Sequence, residues 1–360
     1  MITELRLENW KSFGEATLYI DPLSILIGTN ASGKSNVLDA LQFLQNIASG
    51  MNAKNSLETI RGGLEWATRR PNRSFRLDVV ILESNIRYDY CVQYSVDDLL
   101  LRNVFPVKIR EDELDDATQK ICKNLRGIFV LEPNPSEITG YSLLSDKLNN
   151  DASNIAGVLA ALPIERQKEI EDTLTQYASR LPERDIHRVY AEKVGKLGKD
   201  AMLYCDEKWG ESGEVFTVDA RAMSDGTLRF LAILTALLTL PEGSLLAIDE
   251  VDNGFHPSRA HLLLEALQTI GKQRNIDVLV ATHNPALLDA LGTEFVPFVT
   301  VAHRDSITGE SKLTLLEDIE QLPKLLAQGT VGKLSTQGLI EKSLNMKPLN
   351  QTVKAELYVH

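Results

Sequence analysis

Residues 28–35 read Gly28-Thr29-Asn30-Ala31-Ser32-Gly33-Lys34-Ser35, the spacing G-x-x-x-x-G-K-[ST]. Glycines at these positions let the backbone wrap an anion, so that several N–H groups converge on phosphate oxygens. Lys34 then faces the β- and γ-phosphates, and the Ser35 hydroxyl is a ligand for Mg²⁺. The pattern predicts ATP with Mg²⁺. A phosphate loop of this kind needs a carboxylate for its metal, and Leu245-Leu246-Ala247-Ile248-Asp249-Glu250 supplies one at the end of an apolar run. Asp249 would hold Mg²⁺, directly or through water, and Glu250 would polarise the attacking water as general base. Ser224 and Gly226, within Met223-Ser224-Asp225-Gly226-Thr227-Leu228-Arg229, open an apolar helical stretch. A hydroxyl, free N–H groups and the positive dipole end make such an edge an anion site; an ordinary N-cap by Ser224 or Asp225 is the plainer reading. His283 ends the apolar run Val278–Ala281, where an imidazole can reach the γ-phosphate region.

The elements that must position these groups are legible around them. Leu23–Ile27 is an apolar run fit for a buried strand, and Ser35–Ala48 carries apolar residues at helical spacing. Ile2–Glu8 and Phe13–Ile20 alternate as an antiparallel pair, and Phe75–Leu82 and Arg87–Val96 read as further strands. From about 109 to 203 the pattern turns polar and helical, with helices expected over Asp112–Leu125, Ser153–Leu162 and Pro163–Leu181. Met202–Tyr204 and Glu214–Val218 form a hairpin candidate. Beyond it, a buried helix (Leu228–Leu240) precedes strands at Ser244–Ile248, Asp277–Ala281 and Val296–Ala302, with helices at Ser258–Gly271 and Ala286–Leu291 between them. That alternation implies a parallel sheet with covered faces. Helical patterns recur at Ile319–Leu326 and Gly338–Leu344. The expected organisation is an N-terminal ATPase lobe (1–100), a mainly helical insertion (101–205), a C-terminal ATPase lobe (206–316) and a helical tail (317–360).

Apolar content of 43% and charged content of 24% fit a globular chain, and no stretch approaches the ~18 apolar residues of a membrane span. The N-terminus lacks a basic segment followed by an apolar core, so a cytoplasmic protein is expected. Cys91, Cys122 and Cys205 lie far apart, as reduced core residues do rather than metal ligands. A net charge of −12 argues against a uniformly basic nucleic-acid surface. Locally, Arg61, Arg69, Arg70, Arg73 and Arg76 are opposed by Glu65 alone; they could contact DNA or RNA phosphates, or form a solvated loop and strand edge.

The order of phosphate loop, Ser-x-Gly signature, Asp-Glu strand end and strand-end His resembles ATP-binding-cassette ATPases. Asn9-Trp10-Lys11-Ser12-Phe13 and the GTNASGKSN of Gly28–Asn36 are similar to segments of the RecF and SMC-like branch. Ser224–Arg229, Ile248–Pro257, Ala281–Ala290, Phe129–Pro135 and Asp151–Ile155 resemble the small ATPases related to the overcoming-lysogenization-defect (OLD) and abortive-infection families; Val251 stands where that group usually has Pro. The resemblance implies an α/β fold: an ABC-type P-loop head with a mixed or parallel sheet, an N-terminal antiparallel β-lobe and an inserted helical lobe. It implies nucleotide contacts from Lys11, Ser12, Phe13, Gly28, Asn30, Ser32, Gly33, Lys34, Ser35 and Asn36. It also implies a homodimer that sandwiches ATP, with Ser224 and Gly226 acting across the interface and the Asp252-Asn253-Gly254 turn near the seam. A glutamine after an N-terminal-lobe strand normally senses Mg²⁺ in such proteins; Gln93 is the nearest candidate, although mid-strand it could simply face solvent.

OLD nucleases carry a C-terminal Toprim domain with several metal-binding acids; Asp305 and Glu317 do not make that constellation. The expected function is therefore an ATP-hydrolysing, dimerising switch in bacterial anti-phage or abortive-infection defence, with a separate effector such as a nuclease or toxin. The alternative is a RecF-like repair or recombination ATPase that binds DNA directly. A transporter subunit fits poorly, since the signature is not LSGGQ.

Overall fold

The computed structural model describes residues 1–97, 100–104, 114–183, 185–209, 214–251, 257–290 and 292–345. In chain order the elements are β1 (Ile2–Glu8), β2 (Glu15–Tyr19), β3 (Leu23–Ile27), α1 (Lys34–Ala48), α2 (Ala53–Glu58), β4 (Ser74–Glu83), β5 (Ile86–Ser95) and β6 (Leu100–Val104). There follow α3 (Leu114–Arg126), β7 (Ile128–Leu131), α4 (Pro135–Ile138), β8 (Ser142–Leu143), α5 (Ile155–Ala161), α6 (Ile164–Ala178), β9 (Ile186–Val194), β10 (Asp200–Trp209) and β11 (Glu214–Asp219). The remainder is α7 (Asp225–Thr239), β12 (Leu245–Ile248), α8 (Pro257–Gln273), β13 (Asp277–Thr282), α9 (Pro285–Ala290), β14 (Val299–Arg304), β15 (Ser311–Leu315), α10 (Leu322–Leu326), α11 (Val331–Thr336) and α12 (Leu339–Asn345).

The central sheet has the order β15-β14-β3-β13-β12-β7 and is parallel except for β15, which hairpins back on β14. Its inner strands are buried on both faces, as a covered parallel sheet requires. Successive residues therefore feed two different cores. Ile25, Ile27, Leu246, Ile248, Val278 and Val280 point into one, with α5–α9. Leu26, Leu245, Ala247, Leu279 and Ala281 point into the other, with α1 and α3. The second core also receives the five-stranded antiparallel sheet β2-β1-β4-β5-β6. Trp10, Phe43 and Phe75 join that sheet to α1; Trp10 and Phe75 pack edge to face at 4.8 Å and Phe43 and Phe75 at 5.5 Å.

Two stretches depart from the hydrophobic reading. The stretch from 101 to 205 contains β6–β9 besides helices α3–α6, and β7 is a strand of the central sheet. Four residues (Ile128–Leu131) directly behind a helix give too short a pattern to separate from it, and only pairing with β12 defines the strand. The expected strand from 296 splits into a 3₁₀ turn over Thr293–Phe298 and β14, and β15 has no counterpart in the pattern. In the tail, α10–α12 bury Leu322, Leu325, Leu334 and Ile340 against the first core. Cys91 and Cys205 are buried free thiols, and Cys122 is half-buried; burial pushes Cys91 up to about 11 and Cys205 to about 12, far from thiolate chemistry at neutral pH.

Candidate functional site

Parallel strands put their carboxyl ends on one edge, and ligands of α/β sheets bind there. Along that edge β3 runs into Gly28, β13 into His283, β12 into Asp249 and Glu250, and β7 into Glu132. Lys34 opens α1 and is buried; its Nζ donates to the carbonyls of Gly28 (2.6 Å) and Thr29 (3.0 Å), so the ammonium lies inside its own loop. Ser35 Oγ donates to Asp249 Oδ2 at 3.1 Å, which brings the two expected metal ligands together across the sheet from positions 214 residues apart. Glu250 follows in the left-handed region, φ 47°, an unfavourable conformation for a side chain with a Cβ and one that clusters at functional sites. Its backbone N–H donates to Asp249 Oδ1 at 3.1 Å, and its carboxyl is on the exposed side.

The loop fits a phosphate on two counts. Ser32 Oγ is buried with no hydrogen-bond partner, a cost a ligand oxygen would remove. The backbone approach is also too close for side chains: a Cβ on Gly28 (φ +152°) would lie 2.2 Å from the Ala302 carbonyl, and one on Gly33 (φ +116°) 2.8 Å from Ser311 Oγ. Asn30 and Ala31 are exposed at the loop tip. Gly28→Ala should therefore destabilise the protein by about 1–3 kcal/mol and weaken nucleotide binding. Gly50→Ala, also at positive φ (+94°) but in open space, is the control that keeps only the backbone strain. Melting curves with and without ATP check both; equal melting temperatures and nucleotide shifts for the two variants would contradict the cradle.

Lys11, Ser12 and Phe13 lie behind the loop rather than in it. Lys11 Nζ donates to Asp39 Oδ2 (2.5 Å) on α1 and to the Arg61 carbonyl (2.6 Å); burial lowers its pKa, with Asp39 opposing the shift. Ser12 Oγ accepts from Asn36 Nδ2 (2.7 Å) and Ser311 Oγ (2.8 Å), and Phe13 is fully buried beneath Gly33. These residues brace the loop, as does Arg304, whose Nε donates to the Ala31 carbonyl at 3.1 Å.

A cleft of about 270 Å³ is lined by Ser35, Arg61, Glu132, Pro133, Asn134, Arg229, Asp249 and Glu250. Gln93 is not among them. It faces outward mid-strand on β5, between buried Val92 and Tyr94 and opposite Arg76 and Arg102, so strand alternation turns it to solvent. Glu132 stands instead at the end of the strand beside β12, and burial raises its carboxyl pKa, Arg61 opposing. An apolar run ending in an acid was the available signal, the same one that marks Asp249. Arg61 Nη2 donates to Asp249 Oδ2 at 2.9 Å and pairs with Glu132, a role with no sequence signature. Ser224 and Gly226 do not line this cleft. Ser224 caps α7, its Oγ accepting from the Thr227 N–H at 3.2 Å, while Arg229 of the same helix donates to the Pro133 carbonyl at 2.9 Å. His283 is exposed at the end of β13, between the phosphate-loop strand and β12. The Asp252-Asn253-Gly254 turn lies outside the described residues. The other arginines of the basic segment are each matched by an acid: Arg69 with Glu310, Arg70 with Glu65, Arg73 with Asp97 and Arg76 with Asp78.

Sheet order, phosphate loop and Ser35–Asp249 contact define a P-loop ATPase head of the SMC and ABC type. The chain belongs to the family described as "AAA domain, putative AbiEii toxin, Type IV TA system", whose model matches residues 23–289. An ATP/GTP phosphatase of Helicobacter pylori is 23% identical over 347 residues, 81% of this chain and 87% of that protein. The DNA replication and repair protein RecF of Staphylococcus aureus is 36% identical over 76 residues, only 21% of this chain and 20% of RecF. Among solved structures, the SMC head domain from Thermotoga maritima superposes with TM-score 0.52 at 15% identity, covering 87% of this chain and 98% of that one. An SMC head bound to the C-terminal winged-helix domain of ScpA gives 0.58 at 14%, covering 87% and 96%. At these identities the structures speak for the fold. Among the described residues, no helix is long and apolar enough to cross a membrane.

Proposed function

We propose that this protein binds and hydrolyses Mg²⁺-ATP and that nucleotide binding closes two copies into a dimer that switches a separate effector protein in defence against phage or mobile DNA. The observation that carries the nucleotide chemistry is Ser35 Oγ at 3.1 Å from Asp249 Oδ2, beside a phosphate loop holding Lys34. When bound there, Mg²⁺ would neutralise charge on the β- and γ-phosphate oxygens. Ser35 and Asp249 would hold it; Lys34 would leave its loop carbonyls for the phosphates; Glu250 would take a proton from the attacking water; His283 would orient the γ-phosphate end. The H. pylori relative supports hydrolysis, and the family description supports the defence setting.

The dimer rests on the position of α7. Its N-terminus offers a hydroxyl and free N–H groups, yet Ser224 and Gly226 are not part of the cleft that holds Ser35 and Asp249. A second chain would bring them to it. Mixing Lys34→Ala with Ser224→Arg protein tests this. Each homodimer has two dead sites, whereas a mixed dimer joins the intact Lys34 of one chain to the intact Ser224 of the other. ATPase activity should return on mixing, toward half that of the wild type per mixed dimer. No recovery although mixed dimers form, or a fully active Ser224→Arg homodimer, would remove the trans-acting signature.

Direct DNA binding has the RecF match in its favour. Against it, Arg69, Arg70, Arg73 and Arg76 each face a carboxylate of their own chain. Strong stimulation of the isolated protein's ATPase by DNA would reverse that preference.

A further inference from the structure

Arg61 lies where a metal ion is needed. Its Nη2 donates to Asp249 Oδ2 at 2.9 Å, the same oxygen that accepts from Ser35 Oγ at 3.1 Å. The guanidinium also pairs with Glu132, so one cation bridges the acids that end β7 and β12. Asp249 is only 7% exposed at its side chain, and a buried carboxylate without a cation is strongly disfavoured. Glu250 and Asp39 add negative charge around Glu132. Three further cations near the cleft, among the described residues, are engaged elsewhere: Lys11 with Asp39, Lys34 with the carbonyls of its loop, and Arg229 with the Pro133 carbonyl.

Arg61 is also built to let go. Its side chain is 45% exposed, so the guanidinium can reach water without rearranging the core. Its carbonyl is pinned by Lys11 Nζ at 2.6 Å, and two left-handed glycines follow, Gly62 (φ +80°) and Gly63 (φ +60°). The Lys11 hydrogen bond thus holds the Arg61 backbone independently of where its guanidinium lies.

We propose that Arg61 is the resident counter-ion of the metal position: it neutralises Asp249 and Glu132 in the nucleotide-free protein, and a divalent cation must displace it before the site is complete. Arg61 is then a positioning residue that sets how much metal the site needs. The proposal rests on the reading of Ser35 and Asp249 as metal ligands.

Mn²⁺ binding to nucleotide-free protein, followed by the paramagnetic signal of free Mn²⁺, is the test. Wild type should bind Mn²⁺ weakly. Arg61→Ala should bind about tenfold tighter or more, because the ion no longer competes with a charge at the same oxygen. Adding Asp249→Asn should remove that gain, and Arg61→Lys, which keeps a cation, should remain near wild type. The melting temperature of metal-free Arg61→Ala should fall and recover with millimolar Mn²⁺ but not with K⁺ at equal ionic strength. Arg61→Gln, neutral and of similar length, serves if the alanine variant does not fold. The proposal is overturned if the neutral variants bind Mn²⁺ no tighter than wild type, if the gain survives Asp249→Asn, or if neither neutral variant folds even with Mn²⁺. Binding of a fluorescent ATP analogue by wild type reports separately on the site: its failure would remove the ATP reading, whereas failure of the Mn²⁺ series alone would remove only the counter-ion.

Discussion

Glu250→Gln protein should bind ATP with near wild-type affinity and hydrolyse it more slowly by on the order of 10²-fold or more. The substitution keeps the size of the side chain and leaves Ser35 and Asp249 in place, while removing the carboxylate that would accept the proton of the attacking water. Asp249 is buried whereas Glu250, in the left-handed region, is exposed, so the two acids are not interchangeable. ATP-bound dimers should accumulate, visible as a shift in size by light scattering when ATP is added. Single-turnover hydrolysis at the wild-type rate would show that the base lies elsewhere.

Lys34→Ala should lose nucleotide binding by at least about 10²-fold, with little change in the stability of the nucleotide-free fold. The asymmetry follows from where the ammonium sits. In the protein without nucleotide it donates to the carbonyls of Gly28 and Thr29 inside its own loop, contacts that stay within one short segment and join no two elements of the core. Against two phosphates no neutral group replaces it. Isothermal titration with ATP and Mg²⁺ measures the loss, and a melting curve without nucleotide measures the fold. Wild-type affinity in the variant would remove the phosphate loop from the nucleotide site.

Local structure built by contiguous residues was legible in the sequence, and contacts assembled by tertiary packing were not. Gly28–Ser35 is a local structure in which loop, strand and helix are encoded side by side, and β3 and α1 lie within one residue of their expected ends. Asp249 was legible as the end of an apolar strand, since Leu245–Ile248 is buried on both faces. Glu132 carries the same signal in a strand of four residues, but its neighbour in sequence is α3 and its partner in space is β12, so the pairing is invisible along the chain. Arg61 looked like one of five neighbouring arginines; only the fold separates it from Arg69, Arg70, Arg73 and Arg76, whose carboxylate partners lie outside the cleft of Ser35 and Asp249. Gln93 shows the reverse case. Its residue type was right, and the two-residue period of β5 turned it outward.

The hairpin of β14 and β15 has a consequence in time. Every residue of the proposed nucleotide site has been synthesised once the ribosome passes His283, yet the wall against which the phosphate loop rests is made later. β3 has β14 on one side, Ala302 closes on Gly28, and Ser311 backs Gly33 and Ser12. At ~5–20 residues per second, roughly 15–60 s separate the making of Gly28 from that of Leu315. A chain cut short before the hairpin would carry Gly28–Ser35, Asp249, Glu250 and His283 with one edge of β3 uncovered and without the Ala302 and Ser311 contacts that close on Gly28 and Gly33.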